Sequence, residues 1–274
     1  MGHVTLPTGT PMISLSTSSV YPESSSRAFA IARELGFDGI EVMVGMDAAS
    51  RDVDALQRLR DYYEMPIGSI HAPTLLLTQR TWGSDPWEKL ERSGEAANRL
   101  GASVVVVHPP FRWQRSYAAS FTAGIRQLSH ATGLIYAVEN MFPWRGPRGA
   151  EMRAYSPSWD PSELDIDHLT LDLSHAATAR QDSLSLVQQW GDRLAHLHLT
   201  DGQDGVADLH LLPGQGNQRA DEVLAELARR RFPGQIVLEV KTNSTDNPGE
   251  RLQQLADALE FTRTHSRLPQ EEKR

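Results

Sequence analysis

The stretch LGASVVVVHPP at residues 100–110 decides the fold class of this chain. Its four consecutive valines leave no polar face, so the sequence predicts a strand that is buried on both sides. Strands of that kind are typical of a parallel sheet covered by helices on its faces. The apolar run ends at a potential metal ligand, His108.

Short apolar runs like this one recur along the whole chain. Including the valine run, they occupy residues 11–17, 37–44, 65–71, 102–108, 134–140, 169–175, 194–200 and 236–241. Amphipathic helical patterns lie between them, at residues 24–35, 52–63, 84–101, 220–231 and 248–265. Asp85 before Pro86 is a helix start signal, and Gly36 and Gly101 are stop signals.

A strand followed by a helix, repeated eight times, predicts an α/β fold of one kind, a single (β/α)8 TIM barrel. We expect one domain over residues 1–274, with the barrel at about 11–266 and a disordered tail at 267–274. A doubly wound sheet is the alternative, but no GxGxxG turn follows the first run. The connection at 141–165 holds four prolines and little helical periodicity, which is typical of a long loop on the functional face.

The composition excludes several classes of protein. The net charge of −8 argues against a broad nucleic-acid surface, and no run of about 18 apolar residues could span a membrane. The start of the chain lacks a secretory signal pattern, so we expect a cytoplasmic protein. The absence of cysteine leaves His, Asp and Glu as the strong metal ligands.

Potential metal ligands end every run from the third to the eighth. They are His71, His108, Glu139, Asp172 with His175 three residues later, His198 and Glu239. Asp208 and His210 follow in the loop after the seventh run. A lone residue of these types is usually a solvated or hydrogen-bonded side chain. Potential ligands at six consecutive strand ends indicate a shared site, because the C-terminal ends of barrel strands meet in one active site.

Clustered carboxylates and imidazoles without a cationic partner favour a divalent metal. Nitrogen and oxygen ligands suit Zn²⁺, Mn²⁺ or Fe²⁺, and five imidazoles favour Zn²⁺, with Mn²⁺ as the alternative. Nine ligands suffice for two or three ions if Glu139 bridges, and such sites cleave phosphoesters. The subset Glu139, Asp172, His198 and Glu239 would instead hold one ion and an α-hydroxy carbonyl substrate.

These motifs resemble the xylose-isomerase-like barrel superfamily, which holds sugar isomerases and epimerases together with endonuclease IV. The segments that carry the resemblance are IHAPTLLL, VVVHP, LTLDLSHA, HLTD, DLHLLPGQGN and VLEV. The resemblance to endonuclease IV implies three zinc positions. They would be held by His71, His108 and Glu139; by Glu139, Asp172, His198 and Glu239; and by His175, Asp208 and His210.

The chain also departs from both branches of that superfamily. Thr74 stands where endonuclease IV usually has a tyrosine used on DNA, and Pro110 and Phe111 follow His108 in place of a glycine-rich turn. The loops that grip DNA in that enzyme look short here, which disfavours DNA as a substrate. Ketose 3-epimerases carry an arginine shortly after the residue that matches His198, and here TDGQDG has none.

The sequence therefore favours a small substrate, a sugar or sugar phosphate, for a metal-dependent isomerase or epimerase. Glu139 and Glu239 would be ligands and proton carriers, and His175 would position the substrate. The alternatives are a multinuclear zinc phosphoesterase, including an apurinic-site endonuclease, and a non-catalytic metal-binding barrel. The number of ions, from one to three, and the oligomeric state are left open.

For several other residues, the sequence allows two interpretations. Substrate contacts are predicted for Asn140, Trp144, Arg145, Arg148 and Lys241, with solvated or anchoring roles as the alternative for the loop residues among them. His196 points the same way as His198 but one layer deeper, and it is interpreted as a residue of the barrel core.

Overall fold

The computed structural model describes residues 11–45, 47–145, 150–205, 207–242 and 247–267. Within them, eight parallel strands close into a barrel. The barrel strands are β1 Met12–Ser16, β2 Gly39–Met43, β3 Ile67–His71, β4 Val104–Val107, β5 Ile135–Glu139, β8 Leu169–Asp172, β9 Leu194–Leu199 and β10 Gln235–Leu238. Seven of them lie within the apolar runs and β10 begins one residue before the eighth run, so the predicted (β/α)8 barrel is confirmed.

The helices form the outer layer of the barrel. They are α1 Ser25–Leu35, α2 Val53–Tyr63, α3 Pro86–Leu100, α4 Arg115–Thr132, α5 Leu173–Ala179, α6 Ser183–Trp190, α7 Ala220–Arg229 and α8 Pro248–His265. The predicted signals mark the ends of α3, since Asp85 accepts hydrogen bonds from the first turn and Gly101 ends the helix at φ +81°. None of the described helices is long and apolar enough to cross a membrane.

The valine run shows why its apolar pattern is continuous. Val105 and Val107 pack into the large core between strands and helices. Val104 and Val106 face the other way, into a smaller cluster that also contains Ala195 of β9. Because β4 and β9 are not neighbours in the sheet, this second contact crosses the barrel interior. Both faces of β4 are therefore buried, as predicted.

The long connection after β5 contains no helix in its described part. It forms a two-stranded antiparallel sheet of β6 Trp144–Arg145 and β7 Glu151–Met152. Phe111 and Tyr155 form an isolated bridge beside it and stack at 5.1 Å between ring centroids. The loop is thus anchored by aromatic packing on the face where the strands end. Of the tail at 267–274, residues 268–274 lie outside the described residues.

Candidate metal centre

The predicted ligands lie at the carboxyl ends of the barrel strands. His71, Glu139 and Asp172 are the last residues of β3, β5 and β8. His108 and Glu239 directly follow β4 and β10, and His198 is the penultimate residue of β9. Parallel strands with aligned registers end on the same side of a barrel, so these side chains converge on one point.

Glu139 lies at the centre of the cluster and is 1% exposed. Its Oε2 is 2.9 Å from Nε2 of His108 and 3.4 Å from Nε2 of His71. Its Oε1 is 2.9 Å from Nδ1 of His198 and 3.4 Å from Nδ1 of His175. Each oxygen of this carboxylate therefore faces a different pair of imidazoles, an arrangement that suits a carboxylate bridging two ions.

Three carboxylates surround a single nitrogen of His198. Its Nδ1 lies 2.9 Å from Oε1 of Glu139, 3.0 Å from Oε2 of Glu239 and 3.7 Å from Oδ2 of Asp172. One imidazole nitrogen can donate at most one hydrogen to three acceptors. The geometry fits a cation held among these four side chains better than a set of hydrogen bonds.

A second carboxylate-bridged group joins His175 of α5 to the loop between β9 and α7, residues 200–219. Oδ2 of Asp208 is 2.9 Å from Nε2 of His210 and 3.6 Å from Nε2 of His175. The other ring nitrogens of these histidines face backbone oxygens, at 2.8 Å from Glu239 and 2.9 Å from Asn140. Backbone carbonyls only accept hydrogen bonds, so each Nδ1 carries a hydrogen, and Nε2, beside Asp208, is the ring nitrogen that could bind a metal.

The donor set fits a metal on a further observation. Two buried carboxylate oxygens, Oε2 of Glu139 and Oδ2 of Asp172, accept no hydrogen bond of acceptable geometry from the described residues. Unsatisfied buried oxygens of this kind are costly unless a cation is near. Several sets of donor atoms lie within 4.8 Å of one another, among them His71, Glu139 and His198; Asp172, His198 and Glu239; and Asp172, His175 and His210.

Without a metal, protons would balance the charges of these side chains. Burial alone would raise the pKa of Glu139, but His198 and His108 beside it hold that pKa well below its usual value. Burial likewise opposes protonation of His198, yet Glu239 and Glu41 raise its pKa well above the ordinary value. Protonated imidazoles therefore occupy the electrostatic role that a divalent ion would take.

This balance predicts how the stability of the metal-free protein depends on pH. Burial disfavours the charge on His210, but Asp208 outweighs it and raises the pKa of His210 to about 9. The folded state therefore keeps a proton that the unfolded chain releases near pH 6.5, and its extra stability is present below that pH. We expect the free energy of unfolding to fall as the pH rises from 6.5 to 9. Urea denaturation with a chelator present measures it.

The His210→Gln variant is the control for this dependence. Gln cannot be protonated, so the loss of stability between pH 6.5 and 9 should be smaller in the variant. At acidic pH, the stability depends on a different group. Burial lowers the pKa of His108 to about 4, so this ring stays neutral in the folded state. A stability of the wild type that is constant or increases over the alkaline window would contradict the charge balance.

One acidic residue of the cluster was not predicted from the sequence. Glu41 lies in the middle of β2, is completely buried and has its Oε1 3.0 Å from Nε2 of His198. The available signal was a carboxylate between the apolar residues Ile40 and Val42 in the run FDGIEVMV. His196, interpreted as a core residue, is indeed completely buried, with its Nε2 3.0 Å from Oε2 of Glu41.

The predicted substrate contacts are placed around this cluster in different ways. Asn140 is buried, and its amide bonds the backbone of Asp172 through both Nδ2 and Oδ1, at 3.0 and 2.7 Å. Trp144 lies within 6 Å of the Phe111 ring in the aromatic cluster. Arg145 donates to the backbone oxygen of Thr178 at 3.0 Å and lies 3.7 Å from Glu151. Arg148 lies outside the described residues.

Lys241 lies beside the cluster, at a cavity of about 230 Å³. The cavity is lined by Ser18, Tyr21, His210, Glu239, Val240, Lys241 and Thr242. The ammonium of Lys241 donates to the backbone oxygen of Asp208 at 2.6 Å and remains exposed. A larger cavity of about 830 Å³ lies at the opposite end of the barrel, against residues that precede β8 and β9, and contains none of the predicted ligands.

Comparison with known proteins places this centre in a family. The xylose isomerase-like TIM barrel family matches residues 29–265. An uncharacterised protein of Mycobacterium tuberculosis is 46% identical over 271 residues, which cover 92% of this chain and 97% of that protein. The fructoselysine 3-epimerase of Escherichia coli O157:H7 is 23% identical over 244 residues, 81% of this chain and 87% of that enzyme.

Solved structures share the same architecture. A D-tagatose 3-epimerase-like protein superposes with a TM-score of 0.66 and 24% identity, covering 92% of this chain and 98% of the other. The D-allulose 3-epimerase from Methylomonas sp., solved in complex with D-allulose, has a TM-score of 0.66 and 19% identity over 95% and 99% of the two chains. The match over residues 29–265 settles the classification: this chain belongs to the xylose isomerase-like TIM barrel family.

Proposed function

We propose that this protein is a divalent-metal-dependent isomerase or epimerase of a small polyhydroxylated substrate, a sugar or sugar phosphate. The observation that carries the proposal is the pair of buried carboxylates Glu139 and Glu239, at 2.9 and 3.0 Å from the same nitrogen of His198. Sugar epimerases among the relatives, including one solved with D-allulose, support the substrate class.

The ion would be held by Glu139, Asp172, His198 and Glu239. A divalent cation, zinc by the nature of its donors and manganese as the alternative, supplies positive charge next to the carbonyl and hydroxyl oxygens of a bound sugar. That charge would make the hydroxyl-bearing carbon next to the carbonyl more acidic. The protein then has to orient this carbon and to exchange its proton.

Glu139 and Glu239 are suited to that exchange. One carboxylate, in its ionised form, would remove and keep the proton next to the carbonyl, which leaves an enediolate. The other, carrying a proton taken up from solvent, would return that proton to the opposite face. The carboxylate that acts first must be ionised, and His198 and His210 lower the pKa of Glu239 to about 2 against the effect of burial. Ser18 fixes the orientation of Glu239 by donating to its Oε1 at 3.1 Å. His175 would position the substrate.

Proton exchange with solvent tests the proposal directly. The zinc- or manganese-loaded protein should replace a C–H with C–D in D2O on one or more members of a panel of ketoses and ketose phosphates, followed by NMR. Chelation should stop the exchange and added metal should restore it. The Glu226→Gln variant is the control, because Glu226 pairs with Arg229 and Arg230 on α7 and touches none of the ligands. No exchange on any member by the loaded protein would overturn the proposal.

A second candidate function, a multinuclear zinc phosphoesterase, is favoured by one specific observation. His71 and His108 lie 3.4 and 2.9 Å from Oε2 of Glu139, and Asp208 and His210 lie 2.9 Å from each other, although a single ion does not need these four residues. A two- or three-ion site would hold an attacking hydroxide against phosphorus. It would use the same strand ends as the epimerase site.

Zinc content separates the two candidates. A phosphoesterase site of this kind should hold about three ions per chain, and a one-ion epimerase about one. Elemental analysis of the protein after gel filtration measures the ratio. Cleavage of an abasic duplex that is lost on chelation would favour the phosphoesterase. A protein that holds its metal but turns over neither substrate class would be the non-catalytic barrel.

A further inference from the structure

Glu41 has no role in the proposed reaction, yet it lies inside the barrel with no exposed surface. It occupies the third position of β2, and its neighbours Ile40 and Val42 belong to the hydrophobic core. Burying a carboxylate costs several kcal/mol unless it is paired and hydrogen-bonded. A strand that keeps such a residue in its apolar core needs a reason that packing does not supply.

The contacts of Glu41 connect it to the metal cluster. Oε2 accepts a hydrogen bond from the Ser69 hydroxyl at 2.8 Å and lies 3.0 Å from Nε2 of His196. Oε1 lies 3.0 Å from Nε2 of His198. The Ser69 hydroxyl thus holds one oxygen of Glu41 by a hydrogen bond, with the His196 ring close beside it, and the other oxygen faces a predicted metal ligand.

This contact selects the tautomer of His198. An ionised carboxylate only accepts hydrogen bonds, so Nε2 of His198 must carry a hydrogen to bond Glu41. In the neutral ring, Nδ1 is then left with its lone pair. That nitrogen is the one that faces Glu139, Asp172 and Glu239, at 2.9 to 3.7 Å. Histidines that bind metals are commonly oriented in this way by a carboxylate behind them.

We propose that Glu41 is the positioning residue of the metal centre: it accepts the Nε2 hydrogen of His198, fixes the ring rotation and presents Nδ1 to the ion. Ser69 holds Glu41 in place by a hydrogen bond to its other oxygen. The inference rests on the proposed binding of metal by His198. It adds to that proposal a residue that binds neither metal nor substrate.

Metal affinity and tautomer together test the inference. In Glu41→Gln, which keeps the shape of the side chain but loses its charge, the dissociation constant for zinc should rise 10- to 100-fold. Competition with a chromophoric chelator measures this constant without reference to activity. Glu226→Gln, the same change on the outer face of α7, should leave it unchanged. Circular dichroism and the urea midpoint establish that each variant is folded.

Nitrogen NMR on histidine-labelled protein gives the second readout. The zinc-loaded wild type should show His198 protonated at Nε2 and unprotonated at Nδ1, and in Glu41→Gln part of the population should lose this pattern. Ser69→Ala leaves the carboxylate but removes one of its hydrogen bonds. It should weaken zinc binding in the same direction and by less, so that the inference remains testable if Glu41→Gln does not fold.

The possible outcomes distinguish a failure of this inference from a failure of the proposed function. A wild type that binds no zinc overturns both. A wild type that binds zinc while Glu41→Gln binds it equally well, with the same His198 tautomer, overturns the positioning role alone. Selective loss of one extra ion from Glu41→Gln would overturn it as well, because Glu41, His196 and His198 would then be ligands of that ion.

Discussion

Replacing Glu139 with glutamine should reduce kcat by at least about 1,000-fold and lower the metal content of the protein. The expected loss is large because, in the proposed reaction, one carboxylate serves two functions: it is a general base, which alone contributes 10²–10⁴-fold, and a ligand to the ion. Each of its oxygens lies within 3.4 Å of two imidazole nitrogens, so the change weakens both sides of the cluster. Solvent-exchange kinetics and elemental analysis measure the two effects.

The comparison with Glu239→Gln distinguishes these two functions. Glu239 lies on one side of the cluster, where it contacts His198 at 3.0 Å and Ser18 at 3.1 Å. Its replacement should therefore lower kcat strongly but cost less metal than the change at Glu139. The Glu226→Gln variant should match the wild type in both measurements. If Glu139→Gln keeps its metal and more than a tenth of its activity, Glu139 is neither the bridging ligand nor a proton carrier.

The strand ends could be predicted from the sequence because two simple rules combine there. Apolar runs such as 102–108 mark strands, and the parallel strands of a barrel all end on one face. Any potential ligand at the end of a run is therefore predicted to lie in a common site, even without knowledge of the packing. The convergence of His71, Glu139 and His198 in the structure follows from these rules.

The rest of the site depends on contacts that cross the barrel interior. Glu41 meets His198 only because closure brings β2 and β9 to face each other, and these strands are not neighbours in the sheet. The pairing of ligands into sets depends on ring orientation, as in His175, whose Nδ1 faces the backbone oxygen of Asn140 at 2.9 Å. Sequence spacing contains no information on either property, and both are decided by side-chain packing.

The loop between β9 and α7, residues 200–219, shows how packing can position the predicted ligands Asp208 and His210. Asp201 follows β9, and its carboxylate accepts hydrogen bonds from the backbone of Gly202, Gly214 and Gln218 at 2.9 to 3.1 Å. Asp201 also forms a two-way backbone bridge with Leu211, at 2.8 and 2.9 Å. The chain between these anchors contains Asp208 and His210. The loop is therefore tied to the end of β9, and the geometry of this ligand pair depends on that tie.

Replacing Gly216 with alanine should break this tie. A Cβ at residue 216 would lie 2.1 Å from the backbone oxygen of Gly202 and 2.3 Å from Oδ1 of Asp201, both far inside van der Waals contact. Neither atom can rotate away, since one is backbone and the other holds two backbone amides. We expect a loss of about 3 kcal/mol in the free energy of unfolding, at the upper end for overpacked sites. Urea denaturation measures it.

If zinc binds at the third predicted position, of His175, Asp208 and His210, the same variant should lose it from there more readily than from Glu139. Displacement of the loop moves Asp208 and His210, whereas the ligands on β3, β5 and β10 stay on the barrel. Gly45→Ala is the matched control, because its Cβ would meet nothing closer than 3.7 Å. It should unfold at the urea concentration of the wild type with the same zinc content. Equal stability and zinc content in Gly216→Ala would mean that the loop tolerates a side chain at this position, so the third ligand set would not depend on its close approach to Gly202.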